Sequence, residues 1–144
     1  MSNYKTVFFI IGVLQIILGI FMAIPIFSQF IFSEIDSSFI TSSAITLVFG
    51  VLFVLSNLDY EKKINLKQAF LLTTLSWLTI AIFGSLPFYF SDLNISFTDS
   101  FFESMSGLTT TGSTIISNLE LAPKSVLLWR ALLQWLGGIG IIVM

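Results

Sequence analysis

Residues 97–114 read Phe-Thr-Asp-Ser-Phe-Phe-Glu-Ser-Met-Ser-Gly-Leu-Thr-Thr-Thr-Gly-Ser-Thr. Phe97, Phe101, Phe102, Met105 and Leu108 recur at spacings of three and four, the pattern of a short amphipathic helix. Ser96 and Thr98 signal its start, with Asp99 completing a capping-box pattern from Ser96, and Gly107 signals its end. A helix over 98–106 has a length of ~14 Å, about half a hydrocarbon core. It can dip into a bilayer and cannot cross one. The following stretch, 107–114, holds three consecutive β-branched threonines, Thr109, Thr110 and Thr111, which favour extended backbone, and Gly112, which adopts angles other residues resist. Non-helical backbone at membrane depth is tolerated only inside protein or against a water-filled cavity. A dipping helix followed by extended Thr/Gly chain can turn successive carbonyls toward a cation and replace its water, and the helix C-terminus adds partial negative charge there. The plainer alternative is a polar external turn. Spacing alone leaves both open; what favours the first is the position of the segment between apolar spans.

Those spans follow from composition. The chain has 144 residues, 56% of them hydrophobic and 10% charged. Ordinary soluble domains carry about 25% charged residues, so lipid must be part of this chain's solvent. Uncharged apolar runs cover 7–32, 36–59 between its flanking aspartates, and 68–91, and a fourth, 125–144, carries the single charge Arg130. The first is too long for the core of a signal peptide, about 7–15 residues. Pro25 is placed to kink or end it near its outer end. Ser42, Thr46 and Gly50 form a stripe of small residues suited to close helix packing. Phe88, Tyr89 and Phe90 suit an interfacial belt, and Trp77, Trp129 and Trp135 suit packing or belt positions. Gly137, Gly138 and Gly140 mark a close-packed or flexible point in the fourth run.

The expected fold is therefore an all-α integral membrane protein. A two-helix hairpin spans 1–60, a cytoplasmic loop 61–67, and one helix–pore loop–helix unit 68–144, its last helix truncated. Lys5, Lys62, Lys63 and Lys67 supply four of the six basic residues on one side, which makes that side and the N-terminus cytoplasmic. Glu34, Asp36, Asp92, Asp99, Glu103 and Glu120, six of the eight acids, fall on the other side and suit the mouth of a cation pathway. The apolar run ends at Met144 without a polar flank, which suggests an N-terminal piece of a longer chain.

The sequence holds no cysteine and no histidine, which removes disulfides, thiolate and imidazole metal sites and the usual Ser-His-Asp and Cys-His catalysts. No basic patch suits nucleic acid, and no cofactor is expected. Asp99 and Glu103 share a helix face, so a paired-carboxylate enzyme is the weakest of three readings. A non-transporting scaffold or accessory subunit with a buried polar re-entrant turn is the second, and cation transport the first. Arg130, about five residues into its span, needs a partner at that depth, and Glu103 is the candidate. The pair would lock the pore helix against the next span or tune the outer mouth.

The stretch 97–113 resembles the first pore loop of Trk-type potassium uptake proteins, the TrkH family. The run 128–141, Leu-Trp-Arg-Ala-Leu-Leu-Gln-Trp-Leu-Gly-Gly-Ile-Gly-Ile, is similar to the helix that follows it. The two spans in front resemble the extra N-terminal hairpin of that family. The resemblance implies potassium uptake across the cytoplasmic (inner) membrane by four such repeats around one pore, three of them outside this chain. It implies potassium ligands at the backbone carbonyls of Thr110 and Thr111, the filter glycine at Gly112, and Thr109 and Ser113 as flanks. It also implies a homodimer and a cytoplasmic nucleotide-binding regulatory subunit.

Overall fold

A computed structural model describes residues 4–34, 36–60 and 63–143. Glu61 and Lys62, part of the expected cytoplasmic loop, and Met144 lie outside the described residues. Helices dominate: α1 Lys5–Phe21, α2 Ala23–Phe32, α3 Ser38–Ser56, α4 Leu66–Phe90, α5 Phe97–Leu108 and α6 Lys124–Val143, with a 3₁₀ turn at Leu119–Leu121. No strand occurs among the described residues. Lys5–Phe32, Ser38–Ser56 and Leu66–Phe90 are each long and apolar enough to cross a membrane. The 20-residue α6 reaches a length of ~30 Å, the thickness of a hydrocarbon core.

The first span is interrupted at Met22, three residues before Pro25, and resumes to Phe32. Of the two outcomes its position allowed, a kink or an end, Pro25 gives an interruption and not an end. Proline has no N–H for the carbonyl four residues back, here Phe21, and its ring crowds that carbonyl. The break accordingly falls one turn upstream of the residue that causes it.

α1 and α3 form an antiparallel hairpin with very close backbones. A Cβ on Gly12 would meet Gly50 O at 2.8 Å, and one on Gly50 would meet Ile16 N at 2.9 Å. Ser42, Thr46 and Gly50 are all buried on α3. The hydroxyls of Ser42 and Thr46 donate to the carbonyls of Ser38 and Ser42, and Ser43 donates across the interface to Gly19 O at 2.8 Å. The small-residue stripe is thus a packing face whose polar groups are satisfied without water. Lys5 and Asp59 approach to 3.8 Å, which puts the start of α1 and the end of α3 at one end of the hairpin.

α4 starts with a full capping box, Asn65 with Gln68, and ends in the aromatic run where Phe88 is buried while Tyr89 and Phe90 are exposed. α5 returns antiparallel along α4, with Ser104 beside Gly84 and the Tyr89 and Phe97 rings 5.9 Å apart. α6 then runs parallel to α5, pairing positions 103 with 130, 107 with 133 and 108 with 137. Trp129 is fully buried at this three-helix junction. Its indole N–H donates to Gly84 O at 2.9 Å and its ring lies edge-on to Phe39, so α6 is fastened to α4 and the hairpin at once.

Candidate functional site

α5 opens with the capping box read from the sequence. Asp99 N–H donates to Ser96 Oγ at 3.1 Å and Ser96 N–H to Asp99 Oδ2 at 3.4 Å. The helix is longer than the expected 98–106, running to Leu108 for a length of ~18 Å. Gly107 does not end it. Gly107 is buried where a Cβ would stand 3.1 Å from Leu133 Cβ, so its role is to let α6 approach. Leu108 then touches α6 backbone to backbone: a Cβ on Gly137 would fall 1.8 Å from Leu108 O. Gly137 lies thirteen residues beyond the start of α6, so α5 ends ~20 Å along α6. Of the three glycines in the fourth run, Gly137 alone makes a tight contact; around Gly140 nothing lies within 4 Å.

Gly137→Ala is expected to force the two backbones apart, since no flexible side chain is available to yield. Overpacking of this kind typically costs about 1–3 kcal/mol. The check is the fraction of full-length protein recovered monodisperse in detergent, which should fall well below that of Gly140→Ala.

The segment after Leu108 is not the simple extended chain that three threonines suggested. Thr110 has φ +59° and Gly112 φ +76°, while Thr109, at φ −78°, and Thr111 stay negative. A β-branched residue at positive φ is uncommon and needs its surroundings to hold it. They do so through three bonds that close the helix end. Thr110 N–H donates to Gly107 O at 2.9 Å, Gly112 N–H to Ser106 O at 3.2 Å, and Ser106 Oγ to Ser113 O at 2.7 Å. Alternation of φ between the two hands turns successive N–H groups to one side and carbonyls to the other. The side chains of 109–115 are exposed. The Thr109 and Thr111 hydroxyls pair with each other at 2.9 Å.

Glu103 anchors the chain as it leaves this loop. Its side chain has no exposed surface, and its two oxygens accept three hydrogen bonds. Oε1 takes the Thr114 hydroxyl and the Ile115 N–H, both at 2.6 Å; Oε2 takes Arg130 Nε–H at 2.9 Å. Arg130 also places Nη2 3.5 Å from Gly112 O. One carboxylate and one guanidinium thereby join α5, the loop and α6. Asp99 is committed to its cap, so the two acids do not face a common centre.

The contacts of two residues escaped the sequence reading. Gln134 stands four positions after Arg130 and puts its amide 3.0 Å from where a Gly112 Cβ would be. A polar residue at i+4 from a buried charge was the available signal. Glu34, at the end of α2, caps α6. It accepts Lys124 N–H at 2.5 Å, Ser125 N–H at 3.2 Å and the Ser125 hydroxyl at 2.6 Å. A carboxylate at a helix N-terminus satisfies free N–H groups and complements the dipole, but nothing local announces one from 90 residues away.

Comparison with known proteins places this geometry. Residues 35–144 match the family model described as TrkH, cation transport protein. The chain is 44% identical over 136 residues to the Trk system potassium uptake protein TrkI of Halomonas elongata, covering 94% of this chain and 28% of that protein. It is 35% identical over 144 residues to the Trk system potassium uptake protein TrkH of Escherichia coli, covering 99% and 30%. The crystal structure of the potassium transporter TrkH from Vibrio parahaemolyticus superposes with a TM-score of 0.92 at 36% identity, covering 99% of this chain and 31% of that one. The chain therefore spans less than a third of the length of these relatives.

Proposed function

We propose, given that this chain belongs to the TrkH family of cation transport proteins, that it supplies one quarter of a potassium uptake pathway, with the backbone carbonyls of Thr110 and Thr111 as ion ligands. The observation that carries this reading is the alternating-hand backbone at 109–112, held at the end of a helix that stops partway along the membrane span. Carbonyl dipoles without full charges suit a weakly hydrated monovalent cation: they can replace its water and still let it go. Gly112 O, engaged by Arg130, belongs to the frame of the filter rather than to its ligand row.

Three further repeats would complete the pore, in a cytoplasmic membrane and with the N-terminus inside. A homodimer and a cytoplasmic nucleotide-binding regulatory subunit are the partners this reading names. The transported ion is K⁺, and neither cofactor nor chemical catalysis is part of the proposal. The test is rubidium tracer uptake by the purified full-length protein in proteoliposomes, with competition by unlabelled K⁺ and Na⁺. Uptake that K⁺ suppresses well below the Na⁺ concentration supports the reading; a well-folded protein with no flux leaves a non-transporting scaffold.

The orientation has its own check. Single cysteines at Ile64 and Ser117, both exposed, placed in full-length protein freed of any other cysteine, report sidedness. An impermeant thiol reagent applied to intact cells is expected to label position 117 and spare 64. The reverse pattern inverts the topology and removes an outward-facing filter.

A further inference from the structure

α6 meets the loop along one face with a four-residue rhythm. Arg130 reaches Gly112 O at 3.5 Å, the Gln134 amide faces the Cα of Gly112, and a Cβ on Gly138 would lie 4.0 Å from Thr110 Cγ2. Above and below Gln134 the register of α6 is fixed, by the Glu103–Arg130 ion pair on one side and the Gly137–Leu108 backbone contact on the other. The helix cannot slide, so Gln134 is presented to the loop from a rigid base. Gln134 is half-buried, and among the described residues its amide makes no hydrogen bond. Unlike Arg130, it is not a tie between elements. What it does is occupy the space behind Gly112.

Resting on the filter reading, we infer that Gln134 is a specificity-determining residue that acts by position: it backs Gly112 and limits how far the chain there can recede when an ion enters the carbonyl row. Selectivity in a carbonyl filter depends on how the oxygens are held, through cavity size or through the number and field of the dipoles. Gly112 is the most yielding link, a glycine at φ +76° in a segment whose side chains are all exposed. Once Gln134 is shortened, that link can fold back toward α6, the carbonyl row widens, and discrimination by fit to a dehydrated ion falls.

The experiment uses full-length protein in proteoliposomes, with rubidium influx measured against sodium influx for equal amounts of monodisperse protein. Four proteins are compared: wild type, Gln134→Ala, Gly112→Ala and the double variant. Gln134→Ala is expected to lower the Rb⁺/Na⁺ ratio roughly threefold or more, and Gly112→Ala to lower it further. The double variant should lose less than the product of the two single losses, because the shortened side chain clears the space a Gly112 Cβ would enter. Gln134→Asn, shorter by one methylene, carries the same expectation at smaller size and replaces the alanine variant if that is not recovered. A wild-type ratio for Gln134→Ala or Gln134→Asn beside an altered Gly112→Ala overturns the inference and leaves the filter reading intact. Simple multiplication of the two losses in the double variant also overturns it. An unaltered ratio for Gly112→Ala removes the filter reading itself.

Discussion

Gly112→Ser in the full-length protein is expected to leave membrane insertion and folding intact and to lower K⁺ over Na⁺ discrimination by about tenfold. The loop's side chains are exposed and add little to helix packing, so the protein should still assemble. The conformation, however, depends on glycine. A residue with a Cβ resists left-handed angles by roughly 1–2 kcal/mol, which is about a five- to thirtyfold shift in population. A serine Cβ here would also stand 3.0 Å from the Gln134 amide, which would have to give way by a few tenths of an ångström. The loop already holds Thr110 at φ +59°, a strained β-branched residue, and has no evident reserve to hold a second. Relaxation at 112 would turn the neighbouring carbonyls of Thr110 and Thr111 out of line. Thr110→Ser and Thr111→Ser should be milder, because the proposed ligands are backbone oxygens. Growth of a potassium-uptake-deficient cell on low potassium, with tracer uptake measured against sodium, checks the order. Unchanged selectivity in well-expressed Gly112→Ser would sink the carbonyl-filter reading.

The second large effect is on assembly. Arg130→Ala strands the Glu103 carboxylate, which has no exposed surface and would keep only Thr114 and Ile115 as partners. Removing one member of a buried ion pair typically costs about 3–5 kcal/mol. The recovered fraction of folded full-length protein should therefore collapse, while Lys124→Ala, at the exposed start of α6, should change it little. The combined variant Arg130→Ala with Glu103→Gln should regain part of the loss, because an amide can still accept from Thr114 and Ile115 without carrying a buried charge. Equal recovery of all four proteins would show that the pair is not buried in the assembled membrane protein.

How much of this could be read from the chain depends on distance along it. The capping box at Ser96 and Asp99 obeys a three-residue rule and was legible, as were the apolar spans and the all-helical membrane fold. The approach of Glu103 to Arg130 was legible for another reason: charges within apolar segments are so few that the choice of partner is narrow. Local rules misled wherever tertiary contact overrode them. Gly107 reads as a helix end, yet it remains helical because its missing side chain makes room for Leu133. Three consecutive threonines read as extended, yet the closing bonds from Gly112 to Ser106 and from Ser106 to Ser113 force Thr110 into the other hand. Pro25 reads as a kink or a stop, and the interruption it makes appears a turn upstream.

The cap that Glu34 places on α6 bears on how such a chain is made. Its carboxylate leaves the ribosome 90 residues ahead of the N–H of Lys124 that it will accept. At synthesis rates of about 5–20 residues per second, that is an interval of roughly 5–18 s. During it the α1–α3 hairpin, whose contacts all lie within the first sixty residues, has time to form in the membrane first. The N-terminal hairpin then serves as a jig: when α6 emerges, its starting point and depth are already marked by a waiting anion. A defect at Glu34 would accordingly show itself less in the finished protein than in the yield and timing of its biogenesis.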